Sequence, residues 1–326
     1  MKSPLPLLVA LLLAYPATLP GAEPKKSPPP PVAATIVPTQ ADVPYGTHER
    51  QVLDFYQATS DRPTPLLFFI HGGGWTGGDK QGRTGPGVKP YLAAGISVVS
   101  INYRYAWQAQ LAGIKPPVKA PLEDAARALQ FVRSKAEEWN IDKRRIGASG
   151  GSAGACSSLW LAFHADLADV NSNDTIARES TRLWTAAVVG AQTSLDPQEL
   201  KAWTPNSRYG GHAFGFMDPN DRKTRDSRFA EFLAHREELL PWIKEYSPIE
   251  QVTADDPPVY LLYSSVPAIG QEQSDPTHTA NYGVKLQEKC ERLGVACELV
   301  YPGAPNVKHK SLDEYLIEQL RSPTVK

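Results

Sequence analysis

The sequence predicts an α/β protein with a mostly parallel central sheet flanked by helices. Two observations predict it. Residues 65–70 and 96–103 are nearly continuous apolar runs, the pattern of strands covered on both faces. Around them lie stretches with apolar residues at helical spacing, so strands and helices alternate from residue 49 onward.

The elements follow in order. Residues 1–22 read as an export signal. Lys2 supplies a minimal positive region, and residues 5–13 are apolar apart from Pro6. At about 1.5 Å per residue that run is too short to cross ~30 Å of hydrocarbon. No cysteine follows it, so no stable membrane anchor is expected after cleavage. Residues 23–40, with Lys25-Lys26 and Pro28 to Pro31, form a stiff solvated tether, and residues 41–326 form one domain. Residues 51–57 alternate apolar and polar residues, as a half-exposed antiparallel strand does. A short helix over 89–94 stops at Gly95. Residues 121–139 place Leu122, Ala125, Ala126, Leu129, Val132 and Ala136 on one helical face, with Pro121 in the first turn. A strand over 144–148 feeds a helix over 153–163, and further strands are expected at 184–189, 259–264 and 298–301. Helices over 279–293 and 311–320 complete the pattern. Residues 194–250 break the alternation: they are polar, lack a strong strand, and carry one helix over 227–246. Long loops at the C-terminal edge of such a sheet tend to line sites, so this segment is expected to cap one.

Composition narrows the partners. The formal net charge is −1 and there is no long basic run, which gives a nucleic-acid partner no support. Of three cysteines, Cys156 falls on an apolar helix and reads as a buried inert thiol. Cys290 and Cys297 bracket a helix-to-strand turn and would be candidates to pair in an oxidising compartment, although spacing alone does not fix the geometry. Asp169, Asn171 and Asn173 mimic three positions of a calcium loop, but Asp174 stands where that loop needs glycine, so no metal is expected.

Two motifs carry chemistry. Gly150-Gly151-Ser152-Ala153-Gly154 puts a serine between glycines where a strand becomes a helix, the arrangement that pushes a hydroxyl out as a nucleophile. Upstream, the apolar run 67–70 breaks into His71-Gly72-Gly73-Gly74-Trp75, whose backbone N–H groups can approach a ligand closely. With these two motifs in this order, the chain resembles the α/β-hydrolase superfamily. Within it the chain resembles the hormone-sensitive-lipase and feruloyl/acetyl-esterase-like (BD-FAE-like) branch, from about residue 44 onward.

The resemblance implies a serine carboxylic ester hydrolase that works without cofactor or metal through an acyl-enzyme. It implies Ser152 as nucleophile and the N–H groups of Gly73, Gly74 and Ala153 as oxyanion donors. A weak hydroxyl nucleophile needs a base and a group that orients the base, in the chain order serine, acid, histidine. His309 follows the last strand, the family's position for the base; His278 stands in the preceding loop. Asp275 is the only aspartate between Asp256 and Asp313 and is expected to be the acid, with Glu272 as competitor. Asp275-Pro276-Thr277-His278 also reads as a helix N-cap. His71 is expected to brace the glycine loop. Substrates implied are small-molecule esters or acetyl or feruloyl esters on polysaccharides. Two other readings stay open: a serine exopeptidase of the prolyl-oligopeptidase type, against which Ala155 and the chain length stand, and an inactive hydrolase-like binding protein.

Overall fold

The computed structural model describes residues 36–83 and 87–323. The expected export signal lies outside the described residues, as does the tether up to residue 35. Eight strands make one sheet in the spatial order β1 (Gln40–Pro44), β2 (Val52–Tyr56), β4 (Ser97–Ile101), β3 (Thr64–Ile70), β5 (Ile141–Gly151), β6 (Thr185–Val189), β7 (Val259–Leu262), β8 (Cys297–Val300). Every pairing from β4 to β8 is parallel, and β2 runs antiparallel to both β1 and β4.

The helices are α1 (Lys89–Ala93), α2 (Ala106–Leu111), α3 (Lys119–Ser134), α4 (Ala153–Phe163), α5 (Pro197–Trp203), α6 (Phe229–Ala234), α7 (Arg236–Tyr246), α8 (Pro248–Gln251), α9 (Asn281–Leu293) and α10 (Leu312–Arg321). They cover both faces of the sheet, because side chains alternate across a strand. Along β3, Leu66, Phe68 and Ile70 join one apolar cluster with Leu122, Leu129 and Leu159. Leu67 points the other way, into a cluster with Tyr91, Leu316 and Leu320.

Three expectations shift. The alternating strand at β2 is not half-exposed. Leu53, Phe55 and Tyr56 are all buried, and the polar position Asp54 is buried too, because the Lys80 ammonium donates to both its oxygens at 2.8 and 2.7 Å. Strand β1, which the sequence did not suggest, covers that edge. The single helix expected over 227–246 is two, α6 and α7, broken at His235 where the backbone leaves the helical region (φ −93°, ψ 9°).

The central helix α4 sits unusually close to the sheet. Every one of its residues is buried. A Cβ on Gly154 would lie 2.1 Å from the Ile70 carbonyl oxygen, and one on Gly150 would lie 2.5 Å from the same atom. Only glycine permits that approach, and it draws the start of α4 to the C-terminal ends of β3 and β5. The loops leaving β3, β5, β6 and β7 therefore meet at one edge of the sheet, where α/β folds place their sites.

Candidate active site

Ser152 occupies the turn between β5 and α4. Its backbone lies at φ 55°, ψ −124°, a region that residues with a Cβ rarely enter. Holding it there costs roughly 1–3 kcal/mol, which the packed strand and helix on either side must offset. The Ser152 N–H donates to the Val189 carbonyl at 3.0 Å, tying the turn to the end of β6. The hydroxyl is thereby held out at the sheet edge, partly exposed.

A histidine meets it from the loop between β7 and α9. His278 Nε2 lies 2.9 Å from Ser152 Oγ, and His278 Nδ1 lies 2.8 Å from Asp275 Oδ2. With Nδ1–H donating to the carboxylate, Nε2 carries the lone pair that faces the serine hydroxyl. The other Asp275 oxygen accepts the backbone N–H groups of Thr277 and His278 at 3.1 and 3.2 Å. Burial pushes the Asp275 carboxyl up, but the bond to His278, its charge and the two amides outweigh this and hold it below the ordinary carboxylate range. Both side chains remain open to solvent, 58% exposed for Asp275 and 37% for His278.

The glycine loop faces the same edge. His71 braces it: Nδ1–H donates to the Gly72 carbonyl at 2.8 Å, and the ring stacks on Tyr103 at 4.2 Å. The Tyr103 hydroxyl donates to the His71 carbonyl at 2.8 Å. Burial pushes the His71 imidazole down to about 4, so the ring is neutral and its Nε2 is left to accept from Arg50 Nη2 at 3.5 Å. Trp75 locks the far side, its indole N–H donating to Ser157 Oγ on α4 at 3.0 Å. Gly73 and Gly74 take φ of 103° and 60°. Among the described residues neither amide donates to a protein acceptor, and the Ala153 amide, first in α4, has no partner within its helix. Three N–H donors are thus unspent among the described residues: two on the loop that passes Ser152 at Gly72, where an added Cβ would lie 3.5 Å from Ser152 Cβ, and one on the residue after the serine.

Residues 194–250 touch both loops. Tyr209 and His212 pack against Trp75, the Arg222 guanidinium donates to the Thr76 carbonyl, and the Arg225 side chain covers Gly74. Asn206 bonds the loop that carries Asp275 and His278.

The BD-FAE family model matches residues 53–279, a span that holds the glycine loop, Ser152, Asp275 and His278. The chain belongs to the BD-FAE family. Esterase LipQ of Mycobacterium tuberculosis is 25% identical over 237 residues, covering 68% of this chain and 48% of that protein. Esterase LipC of the same organism is 25% identical over 236 residues, 68% of this chain and 49% of that protein. The BD-FAE chain therefore spans about half the length of these curated relatives. Among solved structures, a truncated carbohydrate esterase from gut microbiota superposes with a TM-score of 0.63 at 21% identity, over 87% of this chain and 96% of that one. An acetyl ester-xyloside bifunctional hydrolase from Caldicellulosiruptor lactoaceticus gives 0.59 at 22% identity, over 82% and 86%. The fold is the α/β-hydrolase fold.

His309, the histidine expected to serve as base, lies elsewhere in this BD-FAE chain. His309 does not reach Ser152. Its Nδ1 lies 2.6 Å from Glu298 Oε2 and its Nε2 3.1 Å from Glu318 Oε2, so both ring nitrogens are taken by carboxylates on β8 and α10. The ring is buried against Tyr315. Burial pushes the His309 imidazole down, but the two glutamates outweigh it and raise it above the ordinary histidine value. The structure brings His278 to the serine instead. Glu272 is exposed, and the carboxylate that bonds the imidazole is that of Asp275. The N-cap expected at Asp275 is also absent, since α9 begins only at Asn281. Cys290 and Cys297 are free thiols, and Cys156 is buried with its thiol pushed up by burial. No group of three His, Cys, Asp or Glu is placed to hold a metal among the described residues, and no helix there is long and apolar enough to cross a membrane.

One signal in the sequence points to His278: an acid and a histidine three residues apart in the loop where the acid is sought. On one turn the two can bond each other, and the base then need not come from the last loop.

Proposed function

We propose that the chain is an exported serine carboxylic ester hydrolase in which Ser152 is the nucleophile, His278 the general base and Asp275 the acid that orients it. The observation that carries this reading is the continuous chain Ser152 Oγ, His278 Nε2, His278 Nδ1, Asp275 Oδ2, with links of 2.9 and 2.8 Å. A serine hydroxyl needs a base in contact, and that base needs a partner to set its tautomer.

The steps follow from the geometry. Ser152 Oγ attacks the ester carbonyl as its proton passes to His278 Nε2. Charge grows on the carbonyl oxygen, where the amides of Gly73, Gly74 and Ala153 receive it; each such donor is worth roughly 3–4 kcal/mol in the transition state. Asp275 stabilises the imidazolium through Nδ1–H. His278 then returns the proton to the departing alkoxide, which leaves as the alcohol. Water enters, gives its proton to the same nitrogen, attacks the acyl group and releases the acid, with the proton returning to Ser152.

The substrate proposed is an acetyl or feruloyl ester carried on a polysaccharide. The carbohydrate esterase and the acetyl ester-xyloside hydrolase among the structural neighbours support it. So does the openness of the site, because solvent-exposed Asp275 and His278 leave room for an ester on a bulky chain. Val189, whose carbonyl holds the Ser152 N–H, offers exposed apolar surface beside the serine for the acyl group. Residues 1–22 act as the export signal in this reading, residues 23–40 as the tether, and residues 194–250 as the cap of the catalytic domain, resting on the glycine loop and the Asp275–His278 loop.

The test is Ser152→Ala assayed on short p-nitrophenyl esters and on acetylated xylan. Loss of turnover on both, with the circular dichroism spectrum and melting temperature of the parent, is the expected result. Turnover near that of the parent overturns the assignment. Cleavage of p-nitrophenyl acetate by the parent without any release of acetate from xylan overturns the polymer reading alone.

A further inference from the structure

Asp275 and His278 share one turn, so their geometry relative to each other is local. Where that turn stands relative to Ser152 is not local, because the serine sits on a different strand end. The loop between β7 and α9 spans residues 263–280 and is exposed over much of its length, so something must hold it.

Three groups meet it next to the site. A Cβ on Gly190 would lie 3.2 Å from His278 Cβ and 3.3 Å from its ring, so the bare Gly190 backbone is the floor on which the imidazole rests. The fully buried Gln192 amide donates to the Thr277 carbonyl at 2.7 Å and to the Gly190 carbonyl at 3.1 Å. Both of these lie just past β6, whose last residue holds the Ser152 N–H, and so belong to the frame that carries the serine. The third group comes from elsewhere. Asn206 Nδ2 donates to the Gln273 carbonyl at 2.8 Å while its Oδ1 accepts the Gln273 N–H at 3.1 Å. One side-chain amide thus satisfies both backbone groups of a residue two positions before Asp275, as a neighbouring strand would. Thr279 Oγ1 extends the hold by donating to Gln273 Oε1 at 3.3 Å. At the start of α9, Asn281 Nδ2 donates to the Trp203 carbonyl at 2.8 Å and to Thr204 Oγ1 at 3.0 Å, so the same stretch 203–206 grips the loop twice.

We propose that Asn206 is a positioning residue, through which the segment 194–250 holds the Asp275–His278 turn at the distance from which His278 reaches Ser152. The proposal rests on the assignment of Ser152, His278 and Asp275 given above. Without the two bonds to Gln273, the loop keeps the Asp275–His278 pair and the Gln192 bond at Thr277, but it loses its hold on the stretch just before Asp275, and the pair shifts relative to the serine. A misplacement of about 1 Å costs on the order of 10²-fold in rate. The segment would then be a working part of the catalytic apparatus as well as a cover over it.

The test uses the full chain with Asn206→Leu, which removes both bonds at similar volume, and Asn206→Asp, which keeps the acceptor for the Gln273 N–H and loses the donor. Active sites are titrated with an organophosphonate, and kcat per titrated site is measured against pH on p-nitrophenyl acetate. Expected is a fall in kcat of about 10- to 100-fold for Asn206→Leu and a smaller fall for Asn206→Asp, with KM changed less than about threefold. Because the Asp275–His278 pair moves as a unit, the acid limb of the Asn206→Leu profile is expected to stay where it is in the parent. An unchanged kcat per titrated site in both variants overturns the proposal. So does a displaced acid limb in Asn206→Leu, which would mean that the pair itself had come apart. His278→Ala run alongside separates the two readings: if it retains parental turnover, the triad assignment has failed and not the role of Asn206 alone.

Discussion

Replacing His278 by alanine removes the only imidazole in contact with Ser152 among the described residues, and the size of the loss can be worked from the geometry. Nε2 stands 2.9 Å from Oγ, within the range for direct proton transfer. General-base catalysis of this kind contributes about 10²- to 10⁴-fold, or roughly 3–5 kcal/mol at 1.36 kcal/mol per decade. The loss belongs at the upper end, because among the described residues no other histidine is hydrogen-bonded to Ser152. His71 faces the Gly72 carbonyl and Arg50, and His309 is bound to Glu298 and Glu318 at both nitrogens. What survives, in the proposed mechanism, is the contribution of the three backbone amides and of binding. The assay is kcat on p-nitrophenyl acetate at pH 8 for His278→Ala and His309→Ala, each checked for folding by thermal melting. Expected are a fall in kcat of about 10³- to 10⁴-fold for His278→Ala and a change under about fivefold for His309→Ala. The opposite ranking, with His309→Ala inactive though folded, would refute the reasoning.

Two predictions concern stability. His309 has a raised pKa in the folded chain, so its protonation stabilises the fold; that contribution is complete below about pH 6.5, the unfolded value, and is lost as pH rises through the higher folded value. The melting temperature of the parent should therefore decline with rising pH from about 6.5 upward relative to His309→Gln, and a constant difference between the two across that range would exclude the linkage. Gly154→Ala places a Cβ 2.1 Å from a backbone carbonyl that cannot rotate away. Overpacking of this kind costs about 1–3 kcal/mol, and the rigid neighbour puts it near the top of that range, so chemical denaturation should show a loss of about 3 kcal/mol; an unaltered midpoint would mean that α4 is free to shift.

Much of the fold was legible because it depends on short-range pattern. The apolar runs at β3 and β4 have to be buried on both faces, and the helical spacing over α3 produces one apolar face wherever the chain goes. The glycine loop and the serine turn were legible for a related reason. Gly150 and Gly154 are demanded by a close approach of backbone to backbone, and both loops take their geometry from residues within a few positions of themselves. Strand β2 was misread where that locality failed. Its polar alternation signals an exposed face, yet Asp54 is buried by a charge from Lys80, 26 residues away in the chain.

The histidine that meets Ser152 marks the boundary most sharply. Sequence alone determines that a serine is strained outward beside a glycine loop, and that histidines and an aspartate follow it. It does not determine which histidine arrives. That depends on the course of residues 263–280, which have no periodicity to direct them and are held by Gln192, Asn206 and Asn281 through contacts with distant segments. Proximity between loops is set by how the sheet brings strand ends together and by which buried amides find a partner there. Tertiary structure alone places His278 at 2.9 Å from Ser152 and sends His309 to a pair of glutamates.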